Sequence, residues 1–253
     1  MPSKETRREH KEEVRQAKAA AARSAQRVAV ARRVAVALVL AAVVGGGILL
    51  LTNQRESDTQ VTDASGSPIE VTNDAEGLLA QAAGAAQAAG CTDVRDVGSY
   101  LPSDQDGSHE GVAPLADYPS IPPASGPHSE ATVSAGVYDE PVDLGAAIHS
   151  LEHGAVIIWY APSEADSAEV KKIKAFVTDN EDHTIVAPFD YPDEGADGRL
   201  QDGAKMAMTA WHFTQGCDEP SLPVVADFMS KYRTPPLADR DYVGQAPEPN
   251  VPI

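Results

Sequence analysis

Two histidines four residues apart, with a glutamate directly before the second, are the residues of this sequence best suited to chemistry. His149, Glu152 and His153 lie in the stretch Ile148-His149-Ser150-Leu151-Glu152-His153-Gly154, just before a strongly apolar run. Residues i and i+4 share one face of an α-helix, so both imidazoles can reach a single ion. The order H-x-x-E-H is also that of the inverted zincins, in which both histidines bind zinc and the glutamate activates water.

A metal site at this helix needs a further ligand, and His128 in a Pro/Gly-rich loop is the best candidate. We expect His128, His149 and His153 to bind a transition metal, copper or zinc, with Glu152 orienting one imidazole from behind. Weaker candidates alternate along a predicted strand: Met206, Met208 and His212. Thioethers are soft ligands that suit Cu(I), although such methionines are more often part of a hydrophobic core.

Two alternatives belong to other classes of protein. A metallohydrolase would use Glu152 as its base and would need an acidic third ligand, with Asp227 better placed than Glu219. Gly154 predicts that the helix ends at His153, whereas a zincin helix would continue, so the sequence favours a protein that is not an enzyme. The other alternative is an extracytoplasmic interaction or scaffold module whose histidines form an internal network. Three further histidines lie in polar segments and receive no role: His10, His109 and His183.

A charge-free apolar segment of nineteen residues, Val34–Thr52, divides the chain. A helix of that length crosses a hydrocarbon core of about 30 Å. Residues 1–33 contain ten basic and four acidic residues, and the rest of the chain contains ten basic and thirty-four acidic residues. The net charge of −18 therefore combines a basic N-terminal segment with a strongly acidic remainder. Because positive charge stays inside, we expect a single-pass cell-membrane protein with a cytoplasmic N-terminus and an extracytoplasmic C-terminal domain. A cleaved signal peptide fits the long basic lead less well.

The predicted domain organisation follows from these shifts in composition. The segments are a basic cytoplasmic helix (1–33), a transmembrane helix (34–52), a flexible tether (53–75), an exterior globular domain (76–235) and a Pro-rich tail (236–253). Membrane lipid around residues 34–52 and a membrane or cell-envelope protein are the expected partners. Nucleic acid is not expected, because the basic arm has no aromatic residue for stacking and no nucleic-acid motif.

Hydrophobic periodicity predicts alternating helices and strands in the exterior domain. Helices are expected at 76–90, 142–152, 167–177 and 222–232, and strands at 155–160, 184–187 and 205–212, the last with alternating exposed and buried positions. The order predicts an α/β or α+β fold, a single domain with a small mixed sheet backed by helices. A thioredoxin-like order fits, although the redox motif of that fold is absent.

The two cysteines of the chain, Cys91 and Cys217, are expected to form a structural disulfide. An oxidising exterior favours this pairing, and no C-x-x-C motif is present to indicate a thiolate metal site or a redox pair. A bond between them would close a loop of about 126 residues and stabilise the fold by roughly 4–5 kcal/mol in the chain-entropy model.

Four phrases of the exterior domain resemble a bacterial family of proteins with a domain of unknown function, DUF3105. They are Pro122-Pro123-Ala124-Ser125-Gly126-Pro127-His128, Gly136-Val137-Tyr138, the stretch His149 to Gly154, and Thr209-Ala210-Trp211 with a cysteine shortly after. The resemblance covers roughly residues 90–235 and implies a membrane-anchored exterior protein. It also implies a site at His128, His149, Glu152 and His153, with Tyr138 and Trp211 nearby. Met206 and Met208 are not part of the family pattern.

Overall fold

The structure is a computed structural model, and it describes residues 74–253. The predicted cytoplasmic helix, the predicted transmembrane helix and all but the end of the predicted tether lie outside these residues. Among the described residues, no helix has both the length and the apolar character needed to cross a membrane.

Six strands form one mixed sheet in the order β1-β6-β5-β3-β4-β2. The strands are β1 (Arg95–Asp96), β2 (Gly136–Val137), β3 (Val156–Tyr160), β4 (Thr184–Pro188), β5 (Met206–Ala210) and β6 (Phe213–Cys217). β4 pairs in parallel with β3 and β2, whereas the pairs β3–β5, β5–β6 and β1–β6 are antiparallel. The predicted mixed sheet is therefore confirmed.

Four helices accompany the sheet, each within two residues of its predicted bounds. They are α1 (Ala75–Ala88), α2 (Leu144–Glu152), α3 (Ala168–Asp179) and α4 (Leu222–Tyr232). The first three begin at residues whose side chains accept a hydrogen bond from the first turn: Asp74, Asp143 and Ser167. Such caps satisfy backbone N–H groups that have no partner within the helix.

The two faces of the sheet carry separate hydrophobic cores. Val156, Ile158 and Tyr160 of β3 lie on the face packed against α1, α3 and α4, which we call the helix face. Ile157 and Trp159 lie on the opposite face with α2 and the loop before it, which we call the loop face. Because side chains of a strand alternate between faces, position along β3 decides which core a residue joins.

The prediction of a strand over residues 205–212 has to be corrected. β5 covers only Met206–Ala210 and all five of its residues are buried, so the expected alternation of exposed and buried positions is wrong. β5 lies between β3 and β6 with both faces covered, and such strands lose their alternation of apolar and polar residues. Trp211 and His212 form the turn into strand β6, which was not predicted, and His212 has φ +66°.

Candidate metal centre

Helix α2 supplies two of the candidate ligands from its C-terminal turn. His149 and Glu152 are three residues apart and therefore share a face, and both are buried. Ser150 fixes the rotation of the helix, because its Oγ accepts from the Val133 N–H at 2.9 Å and donates to the Ala146 carbonyl at 3.0 Å. The helix ends at Glu152, followed by His153 as its cap.

Two segments of the long loop before α2 pair through their backbones. The Gly126 N–H donates to the Asp106 carbonyl at 3.0 Å, and the His128 N–H donates to the Ser108 carbonyl at 2.7 Å. The Gly111 N–H donates back to the His128 carbonyl at 3.0 Å. This short ladder places His109, which lies between Ser108 and Gly111, beside His128.

Tyr118 locks the second of these segments. Its hydroxyl donates to the Pro127 carbonyl at 2.6 Å and accepts from the Ala113 N–H at 3.1 Å. Burial raises the pKa of Tyr118 to about 12, so the hydroxyl keeps its proton. Gly126 has φ +112°, and a Cβ there would lie 2.8 Å from the Tyr118 ring and 2.9 Å from the Tyr100 ring. The backbone before His128 thus requires glycine.

The cluster of His109, His128, His149 and Glu152 results from this packing. Each residue offers one ligand atom, and the four atoms lie within 4.8 Å of one another. Glu152 Oε2 is 3.1 Å from the Nε2 atom of His128, 3.6 Å from that of His109 and 3.9 Å from that of His149. His128 is fully buried, while the side chain of His109 is 46% exposed, so the cluster is most open to solvent at His109.

The hydrogen bond at Nδ1 of His128 determines what its other nitrogen can do. Nδ1–H donates to the Gly126 carbonyl at 2.8 Å, which places the lone pair of neutral His128 on Nε2. That lone pair faces a carboxylate oxygen of Glu152 at 3.1 Å. Two acceptors at this distance need a cation between them: a second proton on His128 or a metal ion. A backbone carbonyl that fixes the opposite nitrogen is common among metal-binding histidines.

The electrostatics of the cluster keep Glu152 charged and His149 neutral. Burial would raise the pKa of Glu152, but the His128 hydrogen bond and the nearby imidazoles outweigh it, so the pKa is lowered. Burial, with His128, His153 and His109, lowers the pKa of His149. A charged carboxylate and a neutral imidazole are the forms that bind metals. The buried Nδ1 atom of His149 has no hydrogen-bond partner among the described residues.

Gly107 and Trp211 border the cluster. A Cβ at Gly107 would lie 2.9 Å from Glu152 Oε1, so the loop approaches the carboxylate closely only because residue 107 is glycine. The Trp211 ring packs edge-on against His128 with centroids 6.1 Å apart, next to the site as the family resemblance implies. Tyr138 is held elsewhere: its hydroxyl donates to the Ser134 carbonyl at 2.8 Å.

His153 was expected as a ligand, but the structure places it outside the group of four. Its Nδ1 lies 3.1 Å from the Pro252 carbonyl oxygen, and its Nε2 lies 3.6 Å from a carboxylate oxygen of Glu248. The end of α2 explains this outcome, because His153 follows the last helical residue and turns toward the C-terminal segment.

The weaker candidate ligands are held elsewhere. Met206 and Met208 are buried on the helix face, whereas α2 lies on the loop face, so the sheet separates both thioethers from the cluster. His212 uses both ring nitrogens, with Asp106 Oδ2 at 2.7 Å and Gln245 Oε1 at 3.1 Å. The acids considered for a hydrolase pair with lysines: Asp227 with Lys231, and Glu219 with Lys205.

Comparison with known proteins gives a family without a function. The family described as "Protein of unknown function (DUF3105)" matches residues 112–243, more than half of the chain. The chain belongs to this family. No curated protein and no solved structure matches it.

Sequence reasoning missed His109, which was assigned no role. The DUF3105 match begins at residue 112 and so does not include it, and the family phrases recognised in the sequence begin later still. The available signal was its position in the same turn-rich loop as His128, between Gly107 and Gly111. The backbone ladder that makes these segments neighbours has no signature in the sequence.

Proposed function

We propose that the exterior domain binds one divalent transition-metal ion through His109, His128, His149 and Glu152. The observation that carries the proposal is the 3.1 Å approach of His128 Nε2, whose partner nitrogen already donates to a carbonyl, to the Glu152 carboxylate. The Nε2 atoms of His109 and His149, at 3.6 and 3.9 Å from the same carboxylate oxygen, complete the set of four ligands.

Zinc and copper(II) suit this set of ligands best. Three imidazole nitrogens and one carboxylate oxygen are borderline and hard donors, which bind zinc or copper(II) readily. Copper(I) prefers sulfur, and both Met206 and Met208 lie across the sheet. We therefore propose zinc or copper(II) and not copper(I). Competition between Zn²⁺ and Cu²⁺ in the titration described below decides which of the two ions binds more tightly.

Anchoring to the cell membrane is the proposed setting for this site. The apolar segment Val34–Thr52 and the basic residues before it support a single-pass protein with the domain outside. Cys91 and Cys217, with sulfur atoms 2.09 Å apart, fit an oxidising compartment. The strand order β4-β3-β5-β6, with α3 between β3 and β4 and α4 after β6, supports the thioredoxin-like arrangement that we propose for the domain core.

Metal-dependent hydrolysis is the second candidate. Glu152 lies beside all three imidazoles, and the exposed side of His109 gives water a path to the cluster. Glu152 would then accept a proton from a metal-bound water while the three histidines hold the ion. Glu152→Gln should in that case abolish hydrolysis of an activated ester while zinc remains bound. A loss of zinc together with activity would instead assign Glu152 to the ligands.

Zinc titration by calorimetry tests the main proposal. The full chain should bind one equivalent. Four single variants should each bind at least about tenfold more weakly, because even partners behind the ligands contribute that much: His109→Ala, His128→Gln, His149→Ala and Glu152→Gln. His10→Ala is the matched control and should bind as the wild type does. Cu²⁺ should compete for the same equivalent. Absence of binding by a folded wild type would overturn the proposal in favour of an interaction or scaffold module.

A further inference from the structure

The C-terminal segment 247–252, which we call the strap, lies against the end of α2. The Glu248 N–H donates to the carbonyl of the candidate ligand Glu152 at 3.1 Å. The Asn250 N–H donates to Thr234 Oγ1 at 3.1 Å, and the Val251 carbonyl oxygen lies 2.9 Å from His183 Nε2. These polar contacts fasten an otherwise irregular segment beside the cluster.

Both ring nitrogens of His153 lie against the strap, one of them within hydrogen-bond distance. Nδ1 faces the Pro252 carbonyl at 3.1 Å, and Nε2 faces Glu248 at 3.6 Å. Even so, the rings of His153 and His149 have centroids only 4.6 Å apart. Ring separations within the cluster are 4.7 to 4.9 Å. His153 is thus as near to His149 as the cluster members are to one another, but its nitrogens face the strap.

We propose that the strap withholds His153 from the metal, and that release of the strap adds His153 as a ligand. The inference rests on the proposed function, since it describes how that same site changes its ligands. His153 follows α2 directly, so a change of its side-chain rotamer can move the ring without movement of the helix. The site then has two states that differ in one imidazole.

The strap has the character of a detachable segment. It contains no helix or strand, and the side chain of Glu248 is 57% exposed. Segments with few buried contacts and exposed hydrogen bonds open at low free-energy cost. The DUF3105 match ends at residue 243, so the strap lies outside the part of the chain that matches the family. A change in the strap can therefore alter the ligand set while the cores on both faces of the sheet stay intact.

The test uses the full chain with residues 247–252 replaced by glycine and serine at unchanged length. Zinc affinity is measured for the wild type, this strap variant, His153→Gln and the combination. His153→Gln should change the wild-type affinity by less than about twofold but weaken the strap variant by about tenfold or more. With Co²⁺ as the probe, the absorption bands of the strap variant should differ from those of the wild type, and adding His153→Gln should restore the wild-type bands.

Three outcomes overturn the inference. In a wild type that binds zinc, equal effects of His153→Gln with and without the strap change contradict the exchange of ligands but not the proposed function. Identical Co²⁺ spectra of the wild type and the strap variant do the same. A wild type that binds no zinc contradicts the proposed function and the inference with it. If the strap variant fails to fold by circular dichroism, His183→Asn combined with Glu248→Gln removes two strap contacts and keeps the backbone. That variant must then show the same dependence on His153.

Discussion

The Nε2 atom of His128 lies 3.1 Å from Glu152 Oε2, although the two residues are 24 positions apart in the chain. One comes from the turn-rich loop and the other from the last residue of α2, so the contact joins two parts of the fold at one point. His128 already donates from Nδ1 to the Gly126 carbonyl. The contact therefore needs a proton or a metal ion between the two atoms, and the proposed function assigns a metal ion to that place.

Gly126→Ala should destabilise the fold by roughly 3 kcal/mol. The residue has φ +112°, and an added Cβ would collide with the Tyr118 and Tyr100 rings. Gly203→Ala is the matched control, because Gly203 has φ +78° with nothing within 4 Å of its Cβ position, and it should lose only about 1 kcal/mol. Urea unfolding measures both. Equal losses would show that backbone strain alone, and not the ring contacts, requires the glycine.

The ion pair of Asp106 and His212 should stabilise the fold only within a window of pH. Burial lowers the pKa of His212, but its bonds to Asp106 and Gln245 outweigh this, so the pKa is raised. Burial raises the pKa of Asp106, but His212 and the Tyr100 N–H outweigh it, so the pKa is lowered. The contribution of Asp106 is lost as pH falls through its lowered pKa, and that of His212 is lost as pH rises through its raised pKa.

The measurement for this window is urea unfolding of the wild type and His212→Asn across pH. Asparagine tolerates the positive φ of residue 212, so the variant removes the imidazole and retains the turn. The free energy of unfolding of the wild type should exceed that of the variant most between the two shifted pKa values. The difference should shrink at lower and at higher pH. A difference that does not change with pH would contradict the pairing.

Loss of the cysteine pair should cost roughly 4–5 kcal/mol of unfolding free energy in the chain-entropy model. Cys91 and Cys217 are separated by 126 residues and join the end of α1 to β6. The test is denaturant unfolding of Cys91→Ser/Cys217→Ser beside the wild type with and without reductant. The reduced wild type should unfold like the variant. Identical unfolding of the oxidised wild type and the variant would mean that no bond constrains the unfolded chain.

Met206→Leu combined with Met208→Leu should leave metal binding unchanged, within about twofold. Leucine is close to methionine in volume and conserves the packing of the helix face. The thioethers lie across the sheet from the cluster, so they cannot bind the same ion. Titrations of the variant with zinc and with copper(I) check this. A marked fall in copper(I) affinity would show that the methionines form a copper site of their own.

Most helices and strands were predictable because each has a local signal. The positions Val170, Ile173, Phe176 and Val177 are the four buried residues of α3, as their helical spacing predicts. β6 was not predicted, because Phe213–Cys217 contains threonine, glutamine and glycine and is recognised only by its pairing with β5 and β1. Local patterns predict elements, whereas pairing depends on the rest of the fold.

The candidate site shows the same division. His149 and Glu152 were predicted from spacing on one helix, and His128 from its loop and from the family resemblance. His109 enters through backbone bonds between residues 106–111 and 126–128, and His153 turns away because Pro252 and Glu248 meet it. Both differences arise from contacts between segments that are distant in the chain, and helical spacing cannot predict such contacts.

The ring nitrogens of His128 provide the most direct test of the central claim. Long-range ¹H–¹⁵N spectra of the histidine rings distinguish protonated, unprotonated and metal-bound nitrogens in the full chain. With one equivalent of Zn²⁺, the ¹⁵N chemical shift of His128 Nε2 should move to the range of a metal-bound nitrogen. Nδ1 should keep the proton that it donates to the Gly126 carbonyl. Nε2 that stays protonated in excess zinc would show that a proton, and not a metal ion, joins His128 to Glu152, and would contradict the account.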